Sequence, residues 1–223
     1  MNLPNKITVC RICLIPLFVF FYMADFVPYG KLIAAILFAG ACFTDFLDGK
    51  IARKRGLVTN LGKFLDPIAD KVLVMAGIIL LIACPIQPHN GVTFLSAIQP
   101  YYVGIIAAVV ILARELIISA FRQVAATKNV VLAADMYGKV KAVFQFITLI
   151  FYFVYAFLIE EFYDGVTPGK IDFGFATMSG WDVANTILGL VGYLLLAITV
   201  VMTIVSACKY ISNNRQVLKD SQK

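Results

Sequence analysis

Four carboxylates and five basic side chains fall within the 26 residues from Asp45 to Asp70, DFLDGKIARKRGLVTNLGKFLDPIAD, of an otherwise very apolar chain. Asp45 and Asp48 stand at i and i+3, with Ala52 at i+7, so on a helix the three share one stripe with Gly49 beside it. Gly62, Asp66 and Asp70 stand at i, i+4 and i+8 and make a second stripe. Two neighbouring helices would then each present two carboxylates toward one cavity. Four like charges cannot share a small site without a cation. Carboxylate oxygens are hard ligands, which favours Mg²⁺, Mn²⁺ or Ca²⁺. The single histidine, His89, rules out His-based zinc. A metal among carboxylates next to Arg and Lys suits phosphate chemistry. Gly49 and Ala52 are what a helix needs where another backbone or a flat ligand must come close. Helix capping, or pairing with nearby lysines, would account for one or two of these aspartates but not for four at matched spacings.

The elements that must position them are apolar helices. The 223 residues are 61% hydrophobic and 14% charged, with a mean hydropathy of +0.88. A water-soluble domain is nearer half apolar and a quarter charged, so this is a polytopic membrane protein. Apolar runs at about 12–27, 31–49, 67–86, 101–121, 142–160 and 184–208 each supply roughly the 20 residues a spanning helix requires. No small-x-small cleavage site closes the first run, which is expected to stay as a membrane helix. With the N-terminus inside, 17 of the 19 Lys and Arg fall on the inner side, and only Lys31 and Lys170 fall outside. Both termini are therefore expected in the cytoplasm. The net charge of +6 reflects that bias and implies no nucleic-acid partner. Five scattered cysteines, an odd number, exclude a complete disulfide framework.

Two further groups of residues could meet a ligand. Asn5, Thr8 and Arg11 stand at i, i+3 and i+6 in the polar amino-terminal segment, which is expected to form a short juxtamembrane helix. At the inner end of the fourth run, Arg114 and Arg122 differ by eight and lie nearly on one face. Lys139 and Lys141 open the fifth run after a turn. Arg114, Arg122, Lys139 and Lys141 thus form a cationic cluster, which a phosphorylated substrate needs and an uncharged or cationic alcohol does not.

The pattern D-x-x-D-G-x-x-A-R, eight residues, then G-x-x-x-D-x-x-x-D resembles the signature of the CDP-alcohol phosphatidyltransferases. Asp45, Asp48, Gly49, Ala52, Arg53, Gly62, Asp66 and Asp70 match every fixed position. The resemblance implies a six-helix membrane enzyme, usually a homodimer, that displaces CMP from a CDP-lipid with an alcohol. It also implies roles. Asp45, Asp48 and Asp66 would hold Mg²⁺ or Mn²⁺, commonly two ions, and Asp70 would be the general base and touch a metal. Gly49, Ala52, Arg53 and Gly62 would line the CDP pocket, with Asn5 and Thr8 on the nucleotide. The segments Arg114-Glu115-Leu116-Ile117-Ile118-Ser119-Ala120-Phe121-Arg122 and Gly138-Lys139-Val140-Lys141 resemble the branch of that family that makes phosphatidylglycerophosphate. Ala142 stands where that branch usually has threonine. The substrates implied are CDP-diacylglycerol and glycerol 3-phosphate, with Arg114, Arg122, Lys139 and Lys141 on the acceptor phosphate.

The expected fold is therefore all-α: six transmembrane helices and a short amino-terminal helix, one domain over 1–223, embedded in the lipids of the cell membrane. Transfer to another phosphorylated alcohol, such as inositol phosphate, is the nearest alternative. An ion-coupled transporter is the remote one, since its carboxylates would be expected near the midplane of broken helices rather than at inner ends.

Overall fold

The computed structural model describes residues 3–55, 60–84, 97–98, 100–127, 136–162 and 180–215. Among them lie six helices and no strand: α1 (Leu3–Met23), α2 (Gly30–Arg55), α3 (Asn60–Ala83), α4 (Tyr101–Thr127), α5 (Met136–Phe162) and α6 (Gly180–Asn213). The expected all-α fold is present. Among the described residues, three stretches are long and apolar enough to cross a bilayer: Tyr101–Ala126, Met136–Phe162 and Val183–Asn213. The apolar parts of α1 and α2 are shorter, Ile7–Met23 and Gly30–Thr44. The amino-terminal segment does not make a helix of its own. It runs unbroken into the first apolar run as α1, with Pro16 inside the helix. Continuing the helix pairs the backbone carbonyls of residues 3–11 with N–H groups one turn on, which a break between the two segments would not. His89, Lys170 and most of the 161–182 loop lie outside the described residues.

α1 and α2 form a tight hairpin. Val27 N–H donates to the Ala24 carbonyl and Gly30 N–H to the Val27 carbonyl, both at 3.0 Å. Tyr29 takes a left-handed conformation, with φ of 60°. A Cβ on Gly30 would lie 2.6 Å from the Phe21 carbonyl oxygen, a backbone atom that cannot swing away. Gly30→Ala is therefore expected to lower the thermal midpoint, at a cost of about 1–3 kcal/mol. An unchanged midpoint in detergent would show that the hairpin relaxes freely.

Inside a bilayer, helices associate through packing and hydrogen bonds rather than through escape from water. Phe18 of α1, Phe38 of α2 and Phe153 of α5 interlock, with centroids 5.0 Å apart for Phe38 and Phe153 and 5.6 Å for Phe18 and Phe38. Tyr22 adds an edge-on contact to Phe153 at 5.3 Å. Gly77 of α3 admits this cluster, since a Cβ there would meet Phe38 at 3.0 Å. α5 and α6 are joined by buried hydrogen bonds, Thr148 to Thr199 at 2.8 Å and Tyr155 to Asn185 at 2.7 Å. Large apolar side chains such as Ile36, Phe43, Ile106 and Leu194 point outward instead, as a lipid-facing surface requires.

One ion pair separates the two ends of the bundle. Lys31, at the start of α2, is buried and bonds Glu160, near the end of α5, at 2.6 Å. Glu160 lies 19 residues along α5 from Lys141, about 28 Å at 1.5 Å per residue. Lys31, one of the two cations expected outside, is thus neutralised at the end remote from Lys141.

Candidate active site

At the opposite end, the one that carries Lys141, α3, α4 and α5 enclose a cavity of about 240 Å³. Its polar lining comprises Asp70 and Lys71 of α3, Arg114, Glu115 and Arg122 of α4, and Lys139, Lys141 and Gln145 of α5. One residue of the aspartate stretch, Asp70, therefore lines the same cavity as all four of Arg114, Arg122, Lys139 and Lys141. Helical spacing explains the convergence. Lys141 and Gln145 are one turn apart on α5, and Arg114 and Arg122 are two turns apart on α4.

The arginines are fixed by α6. Arg114 Nη2 donates to Ser206 Oγ at 2.6 Å, and Arg122 Nε donates to the Tyr210 hydroxyl at 3.1 Å. Ser206 and Tyr210 are four residues apart, so one face of α6 holds both guanidinium groups. The Arg122 guanidinium also stands 5.4 Å from the centroid of the Tyr210 ring. An arginine held by one edge keeps its remaining N–H groups for another partner.

Lys141 is almost fully buried and bonds Glu115 Oε1. The same oxygen accepts from Arg114 Nη1 at 3.2 Å. A lysine buried alone would be very costly, and the carboxylate offsets that cost. Two donors at the cavity are buried without a hydrogen-bond partner, Arg114 Nε and Gln145 Nε2. Orphaned buried donors carry a desolvation penalty that an oxyanion or hydroxyl ligand would remove. Ser119 serves the helix instead, donating to the Glu115 carbonyl at 2.5 Å.

Glu115, Gln145, Ser206 and Tyr210 were not singled out from sequence. Glu115 follows Arg114 directly, and a carboxylate beside a cationic cluster was the available signal. Gln145 lies four residues past Lys141 on an apolar helix, where a polar residue is unexpected. Ser206 and Tyr210 gave no signal, because their partners lie about 90 residues away in the chain.

The other predicted residues are located by backbone alone. Asp45, Asp48, Gly49, Ala52 and Arg53 fall on the last turns of α2, and Gly62 and Asp66 on the first turns of α3. Asn5 falls in the first turn of α1. The side chains of these eight lie outside the described residues. Thr8 is buried on α1, and so is Arg11, three residues further on. α1 packs on both α2 and α3, the two helices that carry the aspartates.

Comparison with known proteins leads to the same chemistry. The profile of the CDP-alcohol phosphatidyltransferase family matches residues 1–205. A CDP-diacylglycerol–glycerol-3-phosphate 3-phosphatidyltransferase of Bacillus subtilis is 36% identical over 231 residues, covering 99% of this chain and 98% of that protein. A protein of the same name from Rickettsia bellii is 38% identical over 149 residues, 66% of this chain and 72% of its own. A third, from Pseudomonas fluorescens, is 38% identical over 125 residues, 55% of each. The aspartate pattern, the all-helical bundle and a match across nine-tenths of its length together make this chain a member of the CDP-alcohol phosphatidyltransferase family.

Proposed function

We propose that the protein transfers the phosphatidyl group of CDP-diacylglycerol to sn-glycerol 3-phosphate, giving phosphatidylglycerophosphate and CMP. The observation that carries this reading is the meeting of Arg114, Arg122, Lys139 and Lys141 with Asp70 around one cavity. Five cations line the cavity with Lys71 included, offset only in part by Glu115 and Asp70, and such an excess suits a phosphate monoester on the acceptor. The names and near full-length coverage of the relatives support the same substrates.

In the proposed reaction, Asp70 takes the proton from the acceptor hydroxyl as that oxygen attacks the phosphatidyl phosphorus. The bond from that phosphorus to the CMP oxygen breaks, and CMP leaves with the electron pair. Arg114, Arg122, Lys139 and Lys141 hold the acceptor's phosphate so that the hydroxyl reaches the phosphorus. Asn5, Thr8, Gly49, Ala52, Arg53 and Gly62 are proposed to bind the CDP moiety. The diacylglycerol tails stay in the bilayer.

The donor set fits a hard divalent cation. Asp45, Asp48 and Asp66 lie on the adjoining ends of two helices in contact, α2 and α3, with Asp70 half-buried one turn further on. Neither histidine nor cysteine occurs in that stretch. Mg²⁺ or Mn²⁺ held by Asp45, Asp48 and Asp66, with Asp70 touching a second ion, would offset the diphosphate charge and stabilise the departing CMP. We further propose six transmembrane helices, both termini and the site in the cytoplasm of a multi-pass cell-membrane protein, and a homodimer. The skew of Lys and Arg to one side supports the orientation.

The test is acceptor competition. Purified protein with Mg²⁺ and CDP-diacylglycerol is given labelled glycerol 3-phosphate against inositol phosphate. Incorporation of glycerol 3-phosphate is expected, with CMP release that depends on both metal and acceptor. Incorporation of inositol phosphate alone would overturn the acceptor assignment.

A further inference from the structure

We infer that Glu115 is an internal stand-in for the acceptor's phosphate, holding Lys141 and Arg114 in the resting cavity and being displaced from them when the acceptor binds. The inference rests on the proposed phosphorylated acceptor and assigns a function to a residue outside the aspartate and cation sets.

Glu115 and Asp70 are the two carboxylates lining the cavity among the described residues. One oxygen of Glu115, Oε1, accepts from both Lys141 and Arg114. Those are the most buried of the four cations, with side chains 2% and 11% exposed, whereas the Glu115 side chain is 20% exposed. The carboxylate is thus the part of this triad able to move without unpacking a helix. A dianionic phosphate and a carboxylate cannot both take the same two cations without strong like-charge repulsion. Exchange of one anion for the other keeps Lys141 paired at every stage, which its burial demands.

The exchange also answers a problem of release. The proposed product carries the same phosphate monoester as the acceptor. Without Glu115 the excess of cations would bind substrate and product alike, and uniform tight binding does not raise turnover. A tethered carboxylate that returns to Lys141 and Arg114 weakens both and speeds departure of the product.

Glu115→Gln tests this, because the amide keeps the size and still accepts a hydrogen bond from Lys141. Inorganic phosphate is expected to inhibit the variant about tenfold more strongly than the wild type. KM for glycerol 3-phosphate should fall, and kcat should fall with it as product release slows. A merely structural Glu115 gives the reverse, a raised KM and weaker inhibition by phosphate, and that outcome overturns the inference. A readout free of turnover covers variants too unstable to assay. Inorganic phosphate should raise the thermal midpoint of Glu115→Gln and Glu115→Ala more than that of the wild type, by replacing the lost anion. An equal or smaller rise overturns the inference. If the wild type transfers to no phosphorylated alcohol, the acceptor reading fails, while the phosphate-induced shift still decides the role of Glu115.

Discussion

Asp70→Asn is expected to fold, to bind CDP-diacylglycerol in a metal-dependent manner, and to lose nearly all turnover. The substitution keeps the shape of the side chain and removes its capacity to take a proton. Asp70 is half-buried where α3 meets a cavity that Lys141 and Arg114 also line. A positioned base is worth about 10²–10⁴-fold in rate, which sets the size of the loss. The predicted signature is a fall in kcat with KM for glycerol 3-phosphate little changed, since the cations that hold the acceptor are untouched. A thermal midpoint close to wild type separates lost chemistry from lost structure. Activity near the wild-type level would remove Asp70 as the base.

The helices were legible because each apolar run is long and bounded by Pro, Gly or charge. The run expected at 101–121 appears as Tyr101–Thr127, and that expected at 142–160 as Met136–Phe162. Both helices extend past their apolar runs at the end that carries the cations. Hydropathy marks only the part suited to hydrocarbon, while backbone pairing continues through Arg122 and Lys139. The same reason merges the amino-terminal segment with the first run. Asn5 and Thr8 are polar, and nothing at residues 9–12 breaks a helix.

Within the site, charge was legible and partnership was not. The sequence points to Arg114 and Lys141 as cations near one end of the bundle. It does not show that Glu115 ties them together or that Ser206 and Tyr210 hold the arginines from α6. The contacts of Ser206 and Tyr210 depend on the rotation of α6 about its own axis. An apolar helix with several small polar residues leaves that rotation undetermined by periodicity. The part-buried pair of Lys31 and Glu160 was hidden by separation along the chain, since its members are 129 residues apart.

Lys141→Met should weaken acceptor binding more than any other single change in the cationic cluster. Lys141 is the most buried of the four cations, so its hydrogen bond to a phosphate would be shielded from water. A charge-assisted hydrogen bond contributes about 1.5–3 kcal/mol, which corresponds to a rise in KM for glycerol 3-phosphate of about 10–100-fold. The substitution also strands Glu115 beside the cavity. Losing one partner of a buried pair costs about 3–5 kcal/mol, and the cost here falls below that range because Glu115 keeps Arg114 and is partly exposed. Stability and acceptor binding can be separated by the double variant Lys141→Met with Glu115→Gln. Removing the stranded charge should return most of the thermal midpoint but leave KM well above wild type, because the cation that meets the phosphate is still missing. If the double variant recovers both, Lys141 acts by supporting the helices and the phosphate is held by Arg114, Arg122 and Lys139 alone. If it recovers the midpoint only, Lys141 belongs to the acceptor site, and the coupling between the two substitutions measures how strongly Glu115 and the phosphate compete for it.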